Sequence, residues 1–184
     1  MNYTELKVNI QDICEQTFTD DQLAMFTQQA EQIIFATVDL PALRANQTGS
    51  VTGGNQYLTM PTGMLYVYSL AVIDPTSAEY HYLINKDPSF IREAYPVAAT
   101  QGRPQHYGIF SQTSFIVGPT PNVTYVAELH YGKYPTSIVT AGTTWLGEEF
   151  DSALLNGALV NAIRFQKGEA DMVALYEKLY AQAM

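Results

Sequence analysis

At 184 residues the chain is long enough to bury a real core in one domain with room for an insertion. Hydrophobic residues make up an ordinary 47%, but charged residues only 15%, against a typical figure of about 25%. The formal net charge of −9 excludes the basic footprint that a nucleic-acid binder needs to displace counterions from phosphates.

So few charges admit two readings. Either neighbouring subunits cover much of the surface, or Thr, Gln, Asn and Tyr supply the polarity instead. The first is carried forward.

In chain order, Leu6, Ile10, Ile13 and Cys14 fall at i, i+4, i+7 and i+8, an amphipathic stripe that predicts a first helix. Cys14 is the single cysteine, which excludes an intramolecular disulfide, and it reads as a small packing residue. No basic stretch leads into an apolar run, so a chain made in the cytoplasm without a signal peptide is expected. No run of 18 apolar residues predicts a membrane-spanning helix.

Thr19-Asp20-Asp21-Gln22 reads as a capping box, and its two aspartates suit the positive end of a helix dipole. Leu23, Phe26, Ala30, Ile33, Ile34 and Val38 then continue a helical stripe to Leu40-Pro41. Thr48 to Gly54 has the glycines of a phosphate loop but neither its lysine nor a following helix pattern. It is expected to form a flexible hairpin tip or exposed loop.

All nine prolines lie from Pro41 to Pro135. Proline is excluded from helix interiors because it removes a donor and clashes with the preceding turn. The two ends are therefore free to be helical and the middle is not. Tyrosines concentrate in that middle, where aromatic and β-branched residues favour strands. Strands are expected at Tyr57–Met60, Leu65–Ile73, Tyr107–Phe110, Phe115–Val117 and Val123–Tyr131. Asp87-Pro88-Ser89 suits an N-cap with proline at the first helical position, opening a short helix that Pro96 ends.

Towards the C-terminus Phe150, Leu154, Leu155, Ala158, Leu159, Ala162 and Phe165 form another helical stripe. Gly168 breaks it, and Val173, Tyr176, Leu179 and Tyr180 mark a last helix. Trp145, where strand turns to helix, reads as a core anchor. The expected fold is α+β, a helical bundle from both chain ends with an inserted antiparallel β-rich region. As a single domain, residues 1–44 and 145–184 form the bundle and residues 51–140 the insertion, with a short helix near 88–94. Residues 1–44 carry seven acids and two bases, residues 145–184 six and three, and the stretch between five and four. The helices hold the charge.

Catalysis needs a group with a tuned pKa within reach of a partner, and none is visible. His81, His106 and His130 each stand beside a tyrosine in strand contexts, without the spacing of a helical zinc pair. Glu148, Glu149 and Asp151 read as helix N-terminal charge. No Gly-x-Ser-x-Gly elbow occurs. No enzyme, cofactor or metal is expected.

From Leu58 onward the sequence resembles the tail-adaptor, or head-to-tail connector, proteins of tailed bacteriophages, chiefly short-tailed ones. The run Lys86-Asp87-Pro88-Ser89-Phe90-Ile91-Arg92-Glu93-Ala94-Tyr95-Pro96 is similar to that family's central signature. Phe115-x-x-Gly118-Pro119-Thr120-Pro121, Tyr125 and Glu128-Leu129-His130-Tyr131 resemble its paired strands. Pro135-x-Ser137-Ile138, Thr143-Thr144-Trp145-Leu146, Ala153-Leu154-Leu155-x-Gly157-x-Leu159 and Lys167-Gly168-Glu169 resemble the exit into the C-terminal helices. Gly132-Lys133-Tyr134 departs from the more aromatic stretch expected there.

The resemblance implies a structural virion protein in the neck between capsid portal and tail. It implies a twelvefold ring of copies that docks under the portal protein and meets tail nozzle or fibre proteins. Packaged DNA would pass through its channel at ejection without tight binding, past an acidic helical lining that repels phosphate. Closed rings are built from head-to-tail contacts between unlike patches. The interface candidates are Tyr176, Tyr180, Tyr131, Tyr134 and Arg92, since Tyr and Arg favour interfaces. The alternative is a ligand- or carbohydrate-binding tail component using Trp145 or the tyrosines as platforms.

Overall fold

A computed structural model describes residues 1–38 and 41–184. In chain order the helices are α1 (Tyr3–Cys14), α2 (Asp20–Thr37), α3 (Pro88–Ala94), α4 (Ile138–Ala141), α5 (Trp145–Glu149), α6 (Asp151–Phe165) and α7 (Ala170–Ala183). The strands are β1 (Arg44–Val51), β2 (Tyr57–Thr59), β3 (Met64–Ile73), β4 (Tyr80–Tyr82), β5 (Ile84–Asn85), β6 (Gln101–Gly102), β7 (His106–Ile109), β8 (Ser114–Gly118), β9 (Thr120–Pro121) and β10 (Tyr125–Lys133). The fold is α+β. The chain divides into two compact units, a helical one of Met1–Leu40 with Pro135–Met184 and a β one of Pro41–Tyr134.

In the helical unit α6 is the central element, packed by α1, α2, α5 and α7. Its buried face is rich in small residues, Ala153, Gly157, Ala158 and Ala162, which lets neighbouring helices approach. A Cβ on Gly157 would sit 3.0 Å from the Ala30 methyl of α2 and 3.0 Å from the Tyr180 ring of α7. Both helix starts in the N-terminal segment are capped reciprocally. Thr19 Oγ1 accepts the Gln22 N–H at 3.3 Å, and Gln22 Oε1 accepts the Thr19 N–H at 2.9 Å. Asn2 and Glu5 exchange the same pair of bonds at 2.9 Å each, and the Asn-x-x-Glu spacing is the signal for it. Leu6, Ile10, Leu23, Phe26, Leu154 and Leu159 are fully buried, each worth roughly 1.5–3 kcal/mol of apolar transfer. Phe18, Phe26 and Phe165 meet as an aromatic triad with centroids 5.3 to 6.4 Å apart.

The β unit holds two four-stranded sheets. One runs β1-β10-β3-β4 and the other β2-β8-β7-β5. The pairings are antiparallel except β5 with β7 and the two-residue pair β6 with β9, which are parallel. Alternation in β10 sends Tyr125, Ala127, Leu129 and Tyr131 inward and Val126, Glu128 and His130 the other way. The inward set meets Leu58, Tyr107, Phe115 and Val117 of the second sheet in one apolar core.

Several expectations are corrected. Thr48 to Val51 belong to β1, an eight-residue strand paired along its length with β10, and only the following residues turn. Its polar composition hides it, because every residue before Val51 is at least partly exposed. Arg44, the last residue of the segment expected in the bundle, opens this strand. Ile13 and Ile33 lie 40% and 48% exposed, while Thr27 and Glu31 occupy the buried face of α2. The end of the α2 stripe at Leu40 lies outside the described residues. Glu149 closes α5, so of the three C-terminal acids only Glu148 and Asp151 stand in first turns. Trp145 is 41% exposed and stacks on Phe150 with centroids 4.9 Å apart, at the surface of its unit.

Glu31 is 3% exposed and accepts the Ile138 N–H at 2.8 Å. Burial pushes its carboxyl above the usual range, opposed by that bond and by one from Ser137. The carboxylate thereby ties the start of α4 to α2, two segments more than a hundred residues apart in the chain.

Candidate interaction surfaces

The run from Lys86 to Pro96 builds the most organised surface of the β unit. Asp87 caps α3: its carboxylate accepts the Ser89 hydroxyl and, at 2.8 Å, the Ser89 N–H. Those two bonds hold its pKa below the ordinary aspartate value. Pro88 fills the first helical position, where a missing N–H costs nothing. Ile91, 1% exposed, presses the helix onto β7 and β8. Only glycine permits that approach, since a Cβ on Gly118 would come 2.5 Å from the Tyr95 ring and 2.8 Å from Ile91. The Tyr95 hydroxyl and His106 Nδ1 lie 3.0 Å apart beneath it.

The outward residues of this platform are aromatic and cationic. Lys86 Nζ stands 5.2 Å from the centroid of Phe90, and the Arg92 guanidinium 5.2 Å over Phe110. Arg92 also reaches the Tyr57 hydroxyl at 3.5 Å, and the Tyr57 and Phe110 rings are 5.2 Å apart. Phe90, Phe110, Ile84 and Ile109 are 42 to 58% exposed. Neither cation meets a carboxylate within 4 Å among the described residues. Stacking on aromatic faces holds long side chains in place and lowers the entropy cost of using them in a contact.

A second aromatic surface covers the outer face of the β1-β10-β3-β4 sheet. Tyr66 lies over Gly132, where a Cβ would collide with its ring. Tyr66 and Tyr68 pack edge to face at 5.1 Å with hydroxyls 3.2 Å apart. Arg44 stacks on Tyr68 at 4.9 Å, and His130 lies 5.1 Å from the same ring. Further along, the Tyr80 hydroxyl donates to Glu128 at 3.3 Å, and the Glu128 charge raises the Tyr80 pKa.

In the helical unit α7 turns Val173, Tyr176 and Tyr180 towards α6 and leaves Met172, Leu175 and Leu179 exposed on another face. Arg164 of α6 pairs with Glu177 of α7 across their junction. The Tyr180 hydroxyl is buried and has no hydrogen-bond partner among the described residues.

Of the five interface candidates, Arg92 and Tyr134 are exposed. Tyr131 belongs to the core of the β unit at 5% exposure, its hydroxyl 3.4 Å from Gln47. Tyr176 and Tyr180 are half-buried against α6. The partners of Arg92 escaped sequence reasoning because Tyr57 and Phe110 come from β2 and the end of β7, far apart in the chain. Only the β2-β8-β7 order unites them. Among the described residues no group of three or more His, Cys, Asp or Glu is placed to hold a metal ion, and no helix is long and apolar enough to cross a membrane.

No curated protein matches the chain. A family model described as SU10 adaptor protein matches residues 1–184, and the chain belongs to that family of bacteriophage adaptor proteins.

Proposed function

We propose that the protein is one subunit of a closed ring, twelvefold by resemblance, that joins the phage portal to the tail nozzle or fibres at the neck of the virion. Packaged DNA passes through the ring at ejection without tight or specific binding. The observation that carries this reading is the amount of large apolar side chain left on the surface of a chain already poor in charge. Leu65, Tyr82 and Ile109 on the β unit, and Phe165 and Leu175 on the helical unit, are 44 to 67% exposed. Surfaces of this kind belong to protein contacts.

Charge segregation supports the channel. The helical unit carries thirteen acids and four bases, which accounts for the whole net charge of −9, and the β unit five of each. An acidic lumen repels phosphate and keeps DNA mobile. Arg92 and Tyr134 are exposed, and the proposal assigns them to partner contact. Tyr131, Tyr176 and Tyr180 act through packing in their own units. On α7 the contact falls to Met172, Leu175 and Leu179.

Mixing the protein with the portal of the same phage and imaging by cryo-electron microscopy tests this directly. A ring stacked on the portal, its narrowest lumen lined by carboxylates, is the expected result. No association defeats the portal role, and a lumen dominated by Arg and Lys defeats the acidic lining.

The alternative of a carbohydrate-binding tail component rests on the exposed Trp145 and Phe150. The groove they line with Ile34, Val38 and Met184 measures about 70 Å³, well short of the roughly 300 Å³ at which ligand pockets begin. Glycan-array binding by the isolated protein is the outcome that would revive it.

A further inference from the structure

We infer that the aromatic–cation platform around α3 docks onto the acidic face of α1 in a second copy of this chain. The inference rests on the ring reading and specifies which two unlike patches make the contact.

The platform offers two cations, Lys86 and Arg92, held upright on Phe90 and Phe110, with Tyr57 at its edge. Its own capping acid, Asp87, is engaged by Ser89. A partner that buries these aromatics must bring apolar surface, and one that neutralises the cations must bring carboxylates. The chain itself carries such a surface. On α1, Glu5, Val8 and Asp12 recur at i, i+3 and i+7, all exposed, with Val8 at 49%. Beside them opens a cleft of about 500 Å³ lined by Met1, Thr4, Glu5, Val8, Asn9 and Asp151. Its apolar side chains are Met1 and Val8, and its walls carry the Glu5 and Asp151 carboxylates. The one cation of this lining, the Met1 amine, is bound to the Gly147 carbonyl at 2.6 Å.

The occupant is a second copy because the charge complement lies within one sequence: the helical unit carries all of the −9, and the neutral β unit presents on this platform two cations that meet no carboxylate among the described residues. The two patches are unlike and belong to different units, so the contact is heterologous. A contact of that type repeats from copy to copy and gives a ring when its rotation closes. The volume of the cleft is ample for the Phe90 ring with one cation beside it.

The full chain and its variants are compared by light-scattering mass after size exclusion, alone and mixed with the purified portal of the same phage. Arg92→Glu cancels the net positive charge of the platform and Val8→Arg sets a bulky cation in the apolar centre of the α1 face, and each is expected to raise the concentration for half-assembly by roughly tenfold or more. Both positions are exposed, so melting curves should match the parent. Lys86→Glu, in the loop ahead of α3, repeats the platform test without altering the helix. The double variant Arg92→Glu with Val8→Arg sets a new pair of opposite charges across the same contact and is expected to recover part of the assembly. Assembly of the single variants at the parent's concentration, or a double variant no better than the worse single one, overturns this pairing and leaves the ring reading standing. A parent chain that stays monomeric alone and on the portal overturns both.

Discussion

The helical and β units solve the problem of a low charge content in opposite ways. Glu31 apart, the helical unit keeps its helix acids exposed, and it closes its interior with small residues of α6 and the phenylalanine triad. The β unit is neutral and exposes aromatic rings, organised by Arg44 over Tyr68 on one sheet and by Arg92 over Phe110 and Lys86 over Phe90 beside the other. The difference teaches that charge and aromatic contact area can be assigned to separate parts of one chain. One part carries the net charge, and the other presents the exposed aromatic rings.

Trp145, the only tryptophan, lies in the helical unit and makes the comparison measurable, since its fluorescence reports that unit's unfolding while circular dichroism reports both. The largest effect is expected from Phe26→Ala, which empties the centre of the aromatic triad. It should cost about 3–5 kcal/mol in denaturant unfolding followed at Trp145. A loss under 1 kcal/mol would show that the triad is not the core of its unit.

Next comes Gly118→Val, which drives a side chain into Tyr95 and Ile91 and should cost about 1–3 kcal/mol by overpacking. Circular dichroism is expected to detect it with the Trp145 transition displaced less. Equal displacement of both signals would make the two units one cooperative block. Thr19→Ala removes one half of the α2 capping box and should cost about 1 kcal/mol. Thermal melting at Trp145 checks this, and an unchanged midpoint would mean that packing alone sets the start of α2.

The smallest effect is a slope. The Glu31 carboxyl has its folded pKa raised by burial, so the folded state binds more protons than the unfolded one in that range. Stability is then full below the ordinary carboxylate pKa and declines as pH rises through the folded value. Glu31→Gln keeps an acceptor for the Ile138 N–H and should flatten this part of the pH profile. A wild-type profile with no decline above the carboxylate range, or an identical decline in the variant, would remove Glu31 from the account.

Much of the architecture was legible in the chain. The exclusion of proline from both ends, the Thr19 box and the Asp87-Pro88 start of α3 are local signals, and each appears where the sequence places it. The first sheet edge was not legible. β1 has polar residues on both faces until Val51, and a strand of that composition is recognised only by its partner, β10. Glu31 was missed for a related reason: a carboxylate at a helical position reads as surface unless a donor arrives from elsewhere, and Ile138 arrives from the far end of the chain.

By itself the sequence determined where helices could and could not form, because capping and proline exclusion act within a few residues. It also determined the uneven charge and the family to which the chain belongs. Only the tertiary structure decided which tyrosines face outward. Tyr131, Tyr176 and Tyr180 turn inward, and Tyr57, Phe90 and Phe110 gather around two cations. Strand alternation and helix rotation are set by which neighbour each element packs against, and that choice is made between residues distant in the chain.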